Sequence, residues 1–150
     1  MEILFEVKNS TGVITLSRPK GLNALNLNMA IQLSKKLKEW EDDNAVERVI
    51  LLGEGNHFCA GGDVKSVHLS GPFSVLKREF FSKEYSLNLQ IKNFPKPYLS
   101  IWKGVVMGGG VGLSIYGDYR IVTDSTKFAM PETSIGFFPD VGGSFFLSRM

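Results

Sequence analysis

Three segments of the chain carry residues whose types and order could do chemistry on a carbonyl group. Two are rich in glycine: His57–Asp63 contains a glycine pair, and Met107–Leu113 contains three consecutive glycines. Because glycine costs conformational entropy on folding, we interpret both runs as places where bare backbone approaches a ligand. The third segment, Met130–Gly143, holds two carboxylates, Glu132 and Asp140, among apolar residues. Converging backbone N–H groups and a carboxylate can together stabilise an oxyanion and activate water.

The glycines Gly62 and Gly109 are the candidate backbone donors. In isolation, either would be interpreted as an ordinary turn residue. Both, however, are predicted at strand-to-helix junctions, where the first N–H groups of a helix are unpaired and carry partial positive charge. Two such groups converging on a carbonyl oxygen would form an oxyanion hole, and losing one donor from such a hole often costs ~3–4 kcal/mol.

The carboxylates each allow two interpretations. Glu132 is either a solvated loop residue or a general base or nucleophile, and its apolar neighbours, such as Met130 and Phe137, would raise its pKa. Asp140 could cap the helix that follows it, take part in chemistry, or do both. Glu84 falls on a predicted long helix, where a solvated face is the default expectation.

Composition excludes several other functions. A net charge of +2 without a basic block argues against nucleic acid as a partner. No apolar run approaches the ~18 residues that a membrane-spanning helix needs. Two histidines and one cysteine without metal-ligand spacing predict no metal site, and the single Cys59 is interpreted as a small buried residue. The glycine runs lack the lysine of a phosphate-binding loop, and no targeting peptide is visible at the N-terminus.

The periodicity of the chain predicts an α/β fold with mostly parallel strands in one domain over residues 1–150. Predicted strands are Ile3–Val7, Val13–Ser17, Val46–Leu52, Tyr98–Trp102, Tyr119–Thr123 and Phe128–Met130. Predicted helices are Leu27–Trp40, Val64–Leu69, Phe73–Phe94 and one from the glycine run through Tyr116. The last residues form an uncapped apolar helical pattern, so we expect a longer protein and exposed apolar surface around Phe145, Phe146 and Leu147.

Several of these motifs, in this order, resemble the crotonase (enoyl-CoA hydratase/isomerase) superfamily. The matching segments are Ser17–Leu25, Phe58–Asp63 and Met107–Leu113. Two further segments, Phe80–Asn88 and Phe128–Gly143, are most similar to its 3-hydroxyisobutyryl-CoA hydrolase subfamily. The resemblance implies a crotonase-like spiral of ββα repeats that binds acyl-CoA thioesters, of which this chain would be the N-terminal part.

The resemblance also implies roles for individual residues. Gly62 and Gly109 would be the oxyanion donors, and Glu132 would act on the thioester directly or through water. Asp140 and Glu84 would line the acyl pocket and hold the substrate hydroxyl or a water. The residues expected along the CoA moiety are Lys20, Leu22, Asn23, Ala24 and Ala60, with Lys20 approaching a phosphate. CoA belongs to the substrate, so no separate cofactor is expected; an intracellular, mitochondrial-matrix location and a homo-oligomer are further implications.

One departure from the superfamily pattern bears on the reaction. Typical hydratases carry a second catalytic glutamate three residues after the oxyanion glycine, and this chain has Gly112 there. Adding water to a double bond requires a pair of carboxylates, whereas thioester hydrolysis requires one base or nucleophile and an oxyanion hole. We therefore favour an acyl-CoA hydrolase of valine catabolism acting on 3-hydroxyisobutyryl-CoA. The alternatives are a hydratase or isomerase of the same fold, or a non-catalytic CoA-binding or assembly module.

Overall fold

The computed structural model describes residues 1–149, which form strands and helices in alternation. The strands are β1 (Ile3–Lys8), β2 (Thr11–Leu16), β3 (Arg48–Gly53), β4 (Tyr98–Trp102), β5 (Val105–Met107), β6 (Tyr119–Val122) and β7 (Lys127–Ala129). The helices are α1 (Leu27–Asp42), α2 (Val64–Leu69), α3 (Leu76–Lys92), α4 (Gly109–Gly112) and α5 (Gly143–Phe146). Single 3-10 turns cover Pro19–Gly21, Glu132–Ile135 and Leu147–Arg149.

The strands form two sheets. The larger sheet has the strand order β1-β2-β3-β4-β6, with β1 antiparallel to β2 and the other pairs parallel. The smaller sheet pairs β5 with β7 in parallel, and Cys59 extends it through a bridge to Val106. Successive turns of the chain thus add a strand to one sheet, a shorter extended segment to the other, and then a helix. This arrangement confirms the predicted α/β spiral.

The first hairpin shows how the sequence sets the local geometry. Lys8 pairs with Thr11, so the loop is the two residues Asn9 and Ser10, which have φ angles of 48° and 59°. Two positive φ angles in a two-residue loop give a turn whose twist matches that of the flanking strands, and asparagine tolerates this conformation well. In β2 the alternating pattern then buries Ile14 and Leu16.

The long helices α1 and α3 pack against each other. Asn26 caps α1, because its side chain accepts a hydrogen bond from the N–H of Met29 at 2.9 Å. The buried face of α1 contains Met29, Leu33 and Leu37, whereas Ile31 is 47% exposed. Ile31 lies two residues from both Met29 and Leu33, about 200° around the helix, so it cannot share their face.

The helix after the glycine run is shorter than predicted. It ends at Gly112, and turns rather than helix continue to Tyr116. Glycine has a low helix propensity, and the hydroxyl of Tyr116 donates to the carbonyl of Val141 at 2.7 Å, which fixes this segment by tertiary contact instead. A separate strand, β5, also precedes the run and was not predicted.

The C-terminal part of the described chain exposes apolar side chains. Phe145 and Leu147 are 50% and 41% exposed, as predicted, but Phe146 is only 7% exposed because it packs into the core. All four residues of β6 are exposed at the edge of the larger sheet. Within residues 1–149, no helix is long and apolar enough to cross a membrane.

Candidate active site

The two glycine segments lie next to each other because the smaller sheet aligns them. The N–H of Met107 donates to the carbonyl of Cys59 at 3.0 Å, which joins the start of one segment to the other. Leu25 flanks the same segment, donating to the carbonyl of Gly61 at 2.8 Å. Residues that are far apart in the sequence are therefore held by backbone hydrogen bonds, which side-chain substitutions disturb little.

The amides of Gly62 and Gly109 form a candidate oxyanion hole. A Cβ atom added to Gly109 would lie 3.0 Å from the nitrogen of Gly62, so the two backbones are in close contact. Among residues 1–149, neither amide donates a hydrogen bond to a protein acceptor. Gly109 is the first residue of α4, where a helix leaves its N–H groups unpaired. Both predicted donors are thus present, adjacent and unpaired.

Glu132 lies against this backbone. A Cβ atom on Gly108 would lie only 2.8 Å from Oε1 of Glu132. Gly108 also has a φ of 49°, so both the available space and the backbone conformation require glycine at this position. The side chain is buried, and Oε2 has no hydrogen-bond partner among the described residues. Burial, and to a lesser degree the charge of Asp140, raise the pKa of Glu132. The predicted effect of its environment is confirmed, and a raised pKa suits a proton acceptor.

Glu84 enters the same site from α3. It is only 2% exposed, so the solvated face expected for it by default is wrong. Its Oε1 atom lies where a side chain on Gly109 would be and has no partner among the described residues. Burial raises the pKa of Glu84 to about 8, and the charges of Asp140 and Glu132 contribute further. At neutral pH this carboxyl group is therefore predominantly protonated and can donate a hydrogen bond.

Asp140 completes the set of carboxylates, but it does not cap a helix. The N-cap of α5 is Gly142, without a side-chain cap, so that interpretation of Asp140 is wrong. Its Oδ2 atom instead accepts a hydrogen bond from the hydroxyl of Tyr85 at 2.7 Å. Burial raises the pKa of Asp140, and the hydrogen bond from Tyr85 opposes this rise.

These groups line one cavity of about 240 Å³. Its lining includes Gly62, Gly109, Glu84, Glu132 and Asp140, together with Ala60. Phe137 was expected as an apolar neighbour of Glu132, but the contribution of α2 and α3 to the apolar wall was not. This wall consists of Val64, Phe80, Phe81, Pro131, Ile135 and Phe137. Phe81 from α3 stacks on Phe137, with ring centroids 5.6 Å apart. No sequence spacing signals this wall, because the two rings come from separate elements.

A larger groove of about 660 Å³ lies beside the cavity. It runs between α3 and the segment before α5, and Asp140 lines both spaces. The groove is mostly apolar, with contributions from Leu89, Tyr116, Phe138, Val141, Phe145 and Leu147. Its most buried polar group is the Asn88 side chain, whose amide has no partner among the described residues.

The predicted CoA-contacting loop borders the cavity but does not present all its residues. The N–H of Ala60 donates to the carbonyl of Leu22 at 3.0 Å, and Lys20 and Leu22 are exposed, whereas Ala24 is half-buried. Asn23 is fully buried, and its amide nitrogen donates to the carbonyls of Glu54 and His57 at 2.9 and 2.8 Å. A direct contact of Asn23 with CoA is therefore wrong for this structure; Asn23 holds the loop in place.

Asp63 and Cys59 have structural roles. Asp63 caps α2 by accepting from the N–H of Ser66 at 3.1 Å, and it pairs with Arg18 at 3.0 Å. Cys59 is fully buried, and burial raises the pKa of its thiol to about 12, which leaves it without thiolate character at neutral pH. Within residues 1–149, no group of three or more His, Cys, Asp or Glu side chains is placed to hold a metal ion.

Comparison with known proteins places this geometry in context. A profile of the family "Enoyl-CoA hydratase/isomerase" matches residues 11–150. A zebrafish (Danio rerio) protein named "3-hydroxyisobutyryl-CoA hydrolase, mitochondrial" is 50% identical, over 99% of this chain and 40% of its own length. The chain thus spans about 40% of that curated relative.

Solved structures superpose closely on the same residues. A carnitinyl-CoA dehydratase from Mycobacterium thermoresistibile is 47% identical with a TM-score of 0.95, covering 99% of this chain and 44% of that one. An enoyl-CoA hydratase from Rhodobacter sphaeroides is 41% identical with a TM-score of 0.94, covering 99% of this chain and 45% of that one. The relatives therefore share the fold but carry names for different reactions.

Proposed function

Since this chain belongs to the enoyl-CoA hydratase/isomerase family, we propose that it serves in the hydrolysis of an acyl-CoA thioester, with 3-hydroxyisobutyryl-CoA as the substrate. The products would be 3-hydroxyisobutyrate and CoA. One observation carries the proposal: two unpaired glycine amides and the buried carboxylate of Glu132 open onto a single cavity. The zebrafish relative named as this hydrolase supports the choice of substrate.

In the proposed reaction, the thioester carbonyl oxygen accepts hydrogen bonds from the N–H groups of Gly62 and Gly109. Negative charge develops on that oxygen as the carbonyl carbon is attacked, and the two amides stabilise it. Glu132 either attacks the carbon itself or removes a proton from an attacking water. In both routes the C–S bond breaks, CoA leaves as a thiolate that takes up a proton, and one water is consumed.

The other two carboxyl groups differ in their hydrogen bonding, which gives them different tasks. Glu84 holds its proton at neutral pH and can donate a hydrogen bond to an oxygen of the acyl group. Asp140 already accepts a hydrogen bond from Tyr85 and can accept another from the hydroxyl of a 3-hydroxyacyl group. A cavity with one donor and one acceptor beside the reacting carbon suits a hydroxylated acyl chain better than a plain alkyl chain.

The exposed loop next to the cavity would hold the CoA moiety. Leu22, Ala24 and Ala60 form an edge along which an extended chain can pass, and the exposed ammonium of Lys20 is available to a CoA phosphate. As part of this proposal, the setting is mitochondrial, as in the name of the zebrafish relative. The pathway is valine catabolism, which the resemblance to the hydrolase subfamily implies.

A hydratase or isomerase activity is the second candidate, and the position of Glu84 in the cavity favours it. A side chain at Gly112 would meet Val141 and Asn88 at 2.9 Å, so this position offers no room for the second glutamate of a hydratase. However, Glu84 supplies a second carboxyl group to the cavity from α3. A glycine at position 112 therefore does not leave Glu132 as the only glutamate of the cavity, and the product of the reaction must decide.

The test measures free thiol released from 3-hydroxyisobutyryl-CoA by the parent chain, by Glu132→Gln and by Glu79→Gln. Glu79 is an exposed glutamate on α3 and serves as the matched control. We expect thiol release by the parent and the control, and a loss of ~10²-fold or more in Glu132→Gln. Equal release by all three proteins would refute the role of Glu132.

Two further outcomes separate the alternatives. Loss or gain of the enoyl absorbance of an unsaturated acyl-CoA, without thiol release, would support a hydratase or isomerase instead. Binding of acyl-CoA without any turnover would support the non-catalytic module. Calorimetric titration of the parent chain with CoA distinguishes this last case from a chain that does not bind the substrate at all.

A further inference from the structure

Tyr85 follows Glu84 on α3 and reaches the site from the side of the larger groove. Its hydroxyl donates to Oδ2 of Asp140 at 2.7 Å, across 55 positions of sequence. The ring of Tyr85 contacts Phe81, with centroids 6.0 Å apart, and Phe81 in turn stacks on Phe137. The hydroxyl is therefore held by a helix on one side and by aromatic packing against the segment of Asp140 on the other.

Asp140 occupies an unusual place because it lines both the cavity and the groove. The terminal torsion of an aspartate is broad, so an unrestrained carboxylate would point its oxygens in many directions. Tyr85 lines only the groove and binds only one of the two oxygens. The hydrogen bond thus restricts the rotation of the carboxylate while leaving its second oxygen available.

We propose that Tyr85 is a positioning residue that fixes the Asp140 carboxylate, so that one oxygen is held on the groove side and the other accepts a hydrogen bond from the hydroxyl of the substrate. The identity of that hydroxyl rests on the proposed function. The contact between Tyr85 and Asp140 does not. In this arrangement Tyr85 sets the preference for hydroxylated over plain acyl groups without touching the substrate.

The charges around Asp140 explain why a hydrogen bond from a hydroxyl group is needed to orient it. Glu84 and Glu132 face it in the cavity, and neither is a cation that could pair with it. On the groove side, Lys92 is the only basic residue of the described lining, and no salt bridge joins it to Asp140 among residues 1–149. The hydroxyl of Tyr85 is therefore the group that stabilises the ionised form of this buried carboxylate.

The first test is a carbon-13 NMR titration of the aspartate carboxyl groups in the parent, Tyr85→Phe and Tyr119→Phe. Asp140→Asn assigns the Asp140 signal, and Tyr119, which is 61% exposed, is the matched control for loss of a hydroxyl. We expect the midpoint of Asp140 to rise by about one pH unit in Tyr85→Phe only. An unchanged midpoint in a folded Tyr85→Phe protein would overturn the proposal.

The second test compares kcat/KM for 3-hydroxyisobutyryl-CoA with kcat/KM for isobutyryl-CoA, which lacks the hydroxyl. We expect Tyr85→Phe to reduce the preference for the hydroxylated substrate about tenfold, because a wrongly oriented Asp140 carboxylate no longer accepts a hydrogen bond from the substrate hydroxyl. Equal losses on both substrates would mean that Tyr85 is merely structural. If the parent releases no thiol from either, the proposed function fails, and the NMR titration alone decides whether Tyr85 positions Asp140.

Discussion

The cavity and the groove lie on either side of Asp140, and they differ in what their linings can do. The cavity is the smaller, at about 240 Å³ against 660 Å³, yet it contains the unpaired glycine amides and all three carboxyl groups. The groove is larger and mostly apolar, without a reactive constellation. We therefore expect chemistry in the cavity, where backbone donors and buried carboxyl groups converge, rather than in the groove, which is only larger.

The two ends of the helix α4 allow a direct comparison. Gly109 at its start faces the cavity, where an added Cβ would run into Glu84 and the amide of Gly62. Gly112 at its end is buried, and an added Cβ there would run into Asn88 and Val141, which line the groove. The same substitution at the two positions should consequently have different effects.

The largest effect is expected for Gly109→Ala. The methyl group would displace Glu84 and push apart the two backbones that form the oxyanion hole, so we expect thiol release to fall ~10²–10³-fold. The measurement is kcat/KM for the acyl-CoA thioester, with Gly112→Ala as the matched variant on the same helix. If both variants lose activity equally, the assignment of the cavity as the reactive side is wrong.

The next effect concerns pH and Glu84. Its pKa of about 8 in the folded chain lies above its ordinary value of 4.5, so the folded state keeps a proton that the unfolded state releases between these pH values. The free energy of unfolding of the parent should therefore fall as pH rises through this window, by up to ~1.4 kcal/mol per pH unit. Glu84→Gln removes this contribution.

Urea denaturation at several pH values across the window measures the prediction. The stability of Glu84→Gln relative to the parent should increase from low to high pH, and the exposed Glu79→Gln is measured alongside as the matched control. Glu132 and Asp140 also have raised pKa values and remain in the variant, so some pH dependence persists. A difference between parent and Glu84→Gln that does not vary with pH would contradict the raised pKa.

The smallest effect is expected for Gly112→Ala. The methyl group would overpack the contact with Val141 and the end of Asn88, at a cost of about 1–3 kcal/mol in the free energy of unfolding. Activity per folded molecule should stay within about tenfold of the parent, because the displaced groups line the groove. Thermal denaturation together with the thiol assay checks both statements. An unchanged or increased stability of Gly112→Ala would show that there is room for the methyl group beside Val141 and Asn88.

Local sequence predicted much of the fold because its signals are short-range. The strands Ile3–Val7 and Tyr98–Trp102 and the helix Val64–Leu69 were all predicted from neighbouring residues, and the structure contains β1, β4 and α2 there. Errors arose where tertiary contacts compete with local preference. The helix predicted through Tyr116 stops at Gly112, because the hydroxyl of Tyr116 binds Val141 across the fold.

For the site, the sequence by itself determined which residues have suitable chemistry: the glycines that leave amides bare, and the carboxylates among apolar neighbours. Only the tertiary structure decided how they are used. It buried Glu84 on the inner face of α3, turned Asp140 from a cap into an acceptor for Tyr85, and removed Asn23 from the surface. The reason is physical: burial and pairing of a polar group depend on which distant element packs over it, and neither spacing nor composition encodes that choice.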